Sequence, residues 1–259
     1  MKTKAILIVI VIVLIGLMCF ASWKIWRIES EYQSGEDAYD AVEELVELPT
    51  KKPEADTKTL EDIPDATLPE SDTTAWPVVD FEALQEINPA IVGWIYIEDT
   101  EINYPIVQGD DNSYYLKHLF TGEWNSAGCI FLDSRNTDDF TDRNNVVYGH
   151  HMRNETMFSN LDYYKTQEFY DTHPAALLLT PEQNYKLEFF AGYVASVEDD
   201  AWQLGFTAMD FEDWLSVRIE QSCFSSELVP AVTDHVVTLS TCSYEFENAR
   251  FVIHGIIRE

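Results

Sequence analysis

Basic residues are scarce: 16 Lys and Arg stand against 46 Asp and Glu in 259 residues, a formal net charge of −30. So acidic a surface repels phosphate backbones and argues against nucleic acid as a partner. Cysteine is also scarce. Four in this length do not make a disulfide scaffold. Ten glycines and ten prolines are ordinary numbers and give no collagen-like or proline-rich tract. There is no phosphate-binding glycine loop, no G-x-S-x-G elbow, no H-E-x-x-H and no C-x-x-C. His150-His151 makes a poor metal pair, because neighbouring side chains on a strand point to opposite faces. No metal and no cofactor are expected. What is present is 46% hydrophobic and 13% aromatic residues, enough for a folded core.

Ala5–Trp23 is an uncharged run dominated by Ile, Leu and Val. As a helix it spans roughly 28 Å at about 1.5 Å per residue, close to a hydrocarbon core of about 30 Å. It is longer than the apolar stretch of a cleaved signal, and Cys19–Trp23 is a poor cleavage site. The expectation is an uncleaved transmembrane signal anchor at 5–23, with residues 1–4 inside and the long acidic remainder outside. From Glu29 to Asp72 there are 15 acids and three lysines (Lys51, Lys52 and Lys58). Ala38, Val42, Leu45 and Val46 fall at helical spacing and predict a short amphipathic helix near 36–47. Pro49, Pro53, Pro64 and Pro69 follow, so 24–74 reads as an acidic stalk or linker. The dense apolar pattern of 75–259 reads as one globular domain.

Within it, Asp80 can cap a helix Phe81–Ile87. Runs rich in β-branched and aromatic residues recur at Ile91–Ile97, Ile102–Val107, Cys129–Leu132, Asn145–Tyr148, Ala176–Leu179, Tyr185–Ser196, His235–Ser240 and Arg250–Ile257. Eight strands with few helices between them predict a closed or nearly closed, mostly antiparallel barrel. Helical spacing also marks Thr156–Phe169 and, more clearly, Asp210–Phe224. In the latter Asp210 is the expected cap, and Phe211, Trp214, Leu215, Ile219 and Ser222–Cys223 form the apolar stripe.

Three cysteines follow the apolar run, so at least one is a free thiol. Cys129 in Gly128–Leu132 reads as a small buried hydrophobe, and Cys223 reads as part of the helix stripe. Cys242 differs. It follows the strand Val236–Ser240 and sits beside small hydroxyl residues, where a thiol is accessible. A nucleophilic cysteine needs a proton acceptor and a group to hold the developing oxyanion. His150, ending the strand Asn145–Tyr148, is the candidate base. Arg250 lies eight residues beyond Cys242, and a short hairpin would bring the two side chains together. The alternatives are a buried Cys242, an Arg250 paired with Glu245 or Glu247, and a core His150.

The stretches Asn144–Met152, Thr238–Cys242 and Ala249–Gly255 resemble the sortases, class B in particular. So do Trp94-Ile95, Tyr104–Gln108, Asp111-Asn112, Tyr115-Leu116 and Gly128–Asp133. The resemblance covers about 76–259. It implies a mostly β fold: an eight-stranded sortase barrel with N-terminal helices and a long helix before the last two strands, preceded by the transmembrane helix. It implies a cysteine transpeptidase, single-pass in the cell membrane of a Gram-positive bacterium, with its catalytic domain extracellular. Cys242 would be the nucleophile, His150 the general acid/base and Arg250 the oxyanion donor, with Asn112, Leu116 and Ser240 lining the groove. The implied partners are secreted proteins with a C-terminal sorting motif, and an amine of the peptidoglycan cross-bridge or a pilin lysine. Two competing readings are an L,D-transpeptidase-like cell-wall enzyme, which would carry a more glycine-rich cysteine loop, and a catalytically idle surface binding domain.

Overall fold

The computed structural model describes residues 2–47 and 76–259. A long helix, α1 (Lys2–Glu43), opens the chain, and its apolar first half is long enough to cross a membrane. The helix does not stop at Trp23. Residues 24–43, expected as the start of a linker, carry no proline and continue it. The predicted helix near 36–47 is its last turns, followed by the short strand β1 (Val46–Glu47). Tyr39 and Val42 are buried against the following domain. β1 pairs antiparallel with β2 (Val78–Val79), Val46 opposite Val79 and Glu47 opposite Val78. This pairing holds the residues just after α1 beside the start of the domain. The prolines of the expected linker lie outside the described residues.

α2 (Phe81–Ile87) starts where Asp80 accepts a hydrogen bond from the Ala83 amide at 2.9 Å, as the cap chemistry predicts. Eight strands then close a barrel: β3 (Ile91–Tyr96), β4 (Asn103–Gln108), β5 (Ile130–Leu132), β6 (Asn144–Tyr148), β7 (Ala175–Leu179), β8 (Asn184–Ser196), β9 (Val236–Cys242) and β10 (Ala249–Arg258). The order around the barrel is β10-β8-β7-β3-β4-β5-β6-β9. Pairing is antiparallel except for β4 with β5 and β6 with β9, so the mostly antiparallel expectation holds. Closure removes the exposed edges that an open sheet would present.

Strand alternation sorts the side chains. On β9 and β10, Val237, Leu239, Phe251 and Ile253 join the main core with Trp94, Ile106 and Phe189. The intervening Val236 and Ile256 face outward and pack under α4 (Ala208–Gln221), against Phe211, Trp214 and Leu215. Burying each such side chain contributes on the order of 1.5–3 kcal/mol. The other end of the outer face carries Ser240, Cys242 and Arg250, of which Ser240 is buried and Cys242 and Arg250 are half-buried.

Three local expectations differ. Asp210 is not the cap of α4. Thr207 is, in a capping box in which Thr207 accepts from the Asp210 amide and Asp210 accepts from the Thr207 amide. The predicted stripe also turns. Ile219 and Cys223 are exposed, while Arg218 is 1% exposed because Asp199 and Asp200 pair with its guanidinium. Finally, Thr156–Phe169 is not one helix. It divides into a 3-10 segment, Ser159–Lys165, and α3 (Gln167–Thr172), separated by the extended cap residue Thr166. The helical spacing reflects burial of Leu161 and Tyr164 in a tighter turn.

Candidate active site

β9 and β10 form an antiparallel hairpin in which Cys242 and Arg250 are direct cross-strand partners. Such partners have Cβ atoms about 4.5–5.5 Å apart and project to the same face. Ser240 lies two residues back on β9, so it shares that face. β6 runs parallel to β9 with Tyr148 opposite Ser240, and the Gly149 amide donates to the Ser240 carbonyl at 3.1 Å. That pairing delivers His150 to the cysteine end of the hairpin. Gly149 has a packing reason: an added Cβ would lie 2.5 Å from Ile130 Cδ1 and 2.7 Å from the Phe158 ring.

A cavity of about 300 Å³ gathers all six residues singled out by sequence: Asn112, Leu116, His150, Ser240, Cys242 and Arg250. Phe131, Tyr148, Val197 and Trp202 complete its apolar walls. Cys242 is half-buried and unbridged, as an accessible thiol must be. Among the described residues no cysteine is in a disulfide. Cys129 is fully buried and desolvation pushes its thiol well up; Cys223 is exposed, its sulfur near the Gly192 carbonyl, and desolvation raises it too.

His150 Nε2 lies 2.8 Å from the Leu116 carbonyl oxygen. A carbonyl only accepts, so Nε2 carries the hydrogen in this contact, and Nδ1 is the ring nitrogen left for proton exchange. Arg250 is half-buried, and its Nη1 donates to its neighbour's carbonyl, that of Ala249, at 2.9 Å. This pins one corner of the fork and leaves the other donors. His151 does not enter the cavity wall. Its Nδ1 lies 3.1 Å from the Cys242 carbonyl and 3.8 Å from Asp162 Oδ2. His150 thus shares the cavity wall with Cys242 while His151 meets the Cys242 backbone, and among the described residues no cluster of three metal-ligating side chains occurs.

Two polar networks hold the walls. Tyr148 donates to Asp133 at 2.9 Å, and Arg135 grips the same carboxylate with two bonds of 2.8 and 2.7 Å. Burial pushes Asp133 up, but hydrogen bonds from Arg135, Asn112 and Tyr148 outweigh it and hold the carboxyl at about 2. Beyond the cysteine, Lys165 Nζ bridges Asp162 at 2.8 Å, Glu245 at 2.6 Å and Ser243 Oγ at 2.9 Å, which ties the β9–β10 turn to the 3-10 segment. Desolvation pushes Glu245 up, yet Lys165 and Ser243 hold it at about 2. Sequence patterns gave no sign of Trp202. Its Nε1 donates to Ser240 Oγ at 3.0 Å across 38 residues of chain. Asn144 supports it from below, its amide donating to the Ala201 and Gln203 carbonyls at 3.0 and 2.9 Å.

Comparison with known proteins gives one consistent result. A sortase domain model matches residues 95–257. The chain is 41% identical to Sortase B of Listeria monocytogenes over 175 residues, 66% of this chain and 71% of that protein. It is similar to the solved sortase B–substrate complex of Staphylococcus aureus, with 34% identity, a TM-score of 0.66, and coverage of 69% of this chain and 84% of that one. A Sortase B solved with triglycine matches at the same identity and TM-score, covering 69% of this chain and 85% of that one.

Proposed function

The chain belongs to the class B sortases, cysteine transpeptidases that anchor surface proteins, and from that premise we propose that Cys242, His150 and Arg250 carry its chemistry. The observation behind this reading is the cross-strand pairing of Cys242 with Arg250 on the cavity wall that His150 shares. Family membership displaces the L,D-transpeptidase-like alternative.

The substrate is a sorting motif near the C-terminus of a secreted protein, lying in the groove between Leu116 and Trp202. Cys242 passes its thiol proton to His150 Nδ1, and the resulting thiolate attacks the carbonyl carbon of the scissile peptide bond. A C–S bond forms and the carbonyl electron pair moves onto oxygen. Arg250 N–H groups stabilise that oxyanion, as a planar multi-donor fork can. Collapse breaks the C–N bond, and His150 gives its Nδ1 proton to the departing amine. The result is a thioester on Cys242. An incoming amine then loses a proton to His150, attacks the thioester carbonyl, and releases the thiolate. The acceptor is an amine of the peptidoglycan cross-bridge or a pilin lysine; a relative's complex with triglycine supports a short amino-terminal peptide. Asn112, Leu116 and Ser240 bind the motif.

The apolar first half of α1 supports single-pass anchoring in the cell membrane of a Gram-positive bacterium, with the barrel on the outer side. Anchoring confines enzyme and substrates to one layer and raises their effective concentration.

The test is turnover of a peptide library by the full chain in detergent micelles, with triglycine as acceptor. Products carrying triglycine should appear with wild type and be lost in Cys242→Ala. The same products from the variant would remove Cys242 from the mechanism.

A further inference from the structure

The last turns of α1 lie against the back of the loop that holds His150, and the contacts between them are continuous. Tyr39 is 5% exposed, its ring against Tyr104 and Phe120 with centroids 5.1 and 5.2 Å away. Its hydroxyl donates to the Gly128 carbonyl at 3.1 Å. Two turns earlier on the same helix, Glu31 Oε1 accepts from the Ser126 amide at 2.8 Å, and the Glu31 carbonyl accepts from Asn125 Nδ2 at 2.9 Å. Gly35 makes room for that contact, since an added Cβ would lie 3.3 Å from Asn125 Nδ2. The helix thus fixes the segment 125–128 by both backbone and side chain.

Gly128 in turn lies flat on the 114–116 turn. It sits at φ +58°, and a Cβ there would be 2.5 Å from the Tyr115 carbonyl oxygen and 2.9 Å from that of Leu116. The next amide, Cys129, donates to the Tyr115 carbonyl at 3.0 Å. The Leu116 carbonyl is the acceptor of His150 Nε2. From Tyr39 to the imidazole the path crosses three peptide units: the one joining Gly128 to Cys129, the one joining Tyr115 to Leu116, and the one that carries the Leu116 carbonyl.

We propose that Tyr39, near the end of α1, is a positioning residue that sets His150 through Gly128 and the Leu116 carbonyl. The inference rests on the acid/base role given to His150. It extends the active enzyme to residues that the sequence assigns to the stalk, and it makes the seating of the helix end felt at the imidazole. Tyr39 touches no substrate. Its effect is on the fraction of time Nδ1 is aimed at the sulfur and the leaving nitrogen, so it belongs to kcat and not to binding.

The experiment compares full-length wild type, Tyr39→Phe, Glu31→Ala, Glu43→Ala and His150→Ala in lipid nanodiscs. Cys242 is titrated with an alkylating reagent so that kcat is expressed per reactive thiol. Tyr39→Phe removes the hydroxyl and keeps the ring. It should lower kcat about three- to tenfold with KM within about twofold. Glu31→Ala should act in the same direction, more weakly. Glu43→Ala lies on the same docked helix but bonds Asn103, remote from Gly128, and should leave kcat unchanged. A merely structural Tyr39 would lower the melting temperature or the titrated fraction while kcat per thiol held. That outcome, or equal losses in Glu43→Ala, overturns the proposal. If His150→Ala retains full turnover, the reading of His150 fails first. If His150→Ala is inactive and Tyr39→Phe and Glu31→Ala are both unaffected, only this inference falls.

Discussion

Cys242 and Arg250 face each other across the β9–β10 hairpin, eight positions apart in the chain but directly opposite in register. The pairing brings both side chains to one face of the hairpin, the arrangement the proposed oxyanion role of Arg250 requires. Lysine has charge but no fork. Arg250→Lys and Arg250→Ala are therefore expected to lower kcat/KM by about 10²- to 10³-fold, with melting temperatures close to wild type. Steady-state peptide turnover beside thermal unfolding checks both. Activity in Arg250→Lys within tenfold of wild type would remove the oxyanion role.

Gly149→Ala places a methyl 2.5 Å from Ile130 Cδ1 and 2.7 Å from Phe158, with no backbone escape because the Gly149 amide is bonded to Ser240. Overpacking of this kind costs about 1–3 kcal/mol. The end of β6 should shift and carry His150 with it. Chemical denaturation should show the loss in stability, and kcat should fall by more than the melting temperature suggests.

Asn144 is fully buried, and its side chain is saturated: it donates to the Ala201 and Gln203 carbonyls and accepts from Thr238 Oγ1 at 2.6 Å. Asn144→Ala orphans all three, a cost of about 1–3 kcal/mol for each unpaired buried group. Trp202, held between those two carbonyls, should lose its place over Ser240. KM for peptide should rise several-fold with kcat less affected, read alongside tryptophan fluorescence. An unchanged KM would separate Trp202 from the groove.

Strand boundaries are legible in the sequence to within one or two residues because β-branched runs such as Val236–Leu239 and Phe251–Ile253 alternate between core and outer face. The catalytic candidates are legible for the same reason, since a hairpin from Cys242 to Arg250 needs only local pairing. The residues missed are those whose role depends on distant chain. Trp202 meets Ser240 only after the segment between β8 and α4 folds back over β9. The burial of Arg218 depends on Asp199 and Asp200, which only the folded chain brings to it. The continuation of α1 is obscured by a composition change at Lys24 that alters the solvent the helix meets, not its backbone preference.

Two buried groups contribute to the fall in stability in acid. His254 is fully buried with Nδ1 2.8 Å from Thr238 Oγ1, and desolvation followed by the nearby Arg218 charge pulls it well below 6.5. The fold binds the neutral ring, so its contribution is complete above about pH 6.5 and is lost as pH falls below that. Asp133, held at about 2 against an ordinary 3.8, contributes fully above about pH 4 and loses that contribution as pH falls toward 2. Its shift corresponds to about 2 kcal/mol. Denaturant titrations should show stability falling in both windows. His254→Gln should flatten the first and Asp133→Asn the second; an unchanged slope in either variant assigns that window elsewhere.

The most direct measurement is intact-mass trapping of the acyl-enzyme. The full chain is mixed with a cleavable sorting-motif peptide without acceptor amine, quenched in acid, digested and sequenced by mass spectrometry. The expected result is an acyl adduct on Cys242, released by hydroxylamine, absent in Cys242→Ala and accumulating more slowly in Arg250→Lys. An adduct on Cys223 or another side chain, or peptide consumed by wild type and Cys242→Ala alike, would contradict a Cys242 thioester.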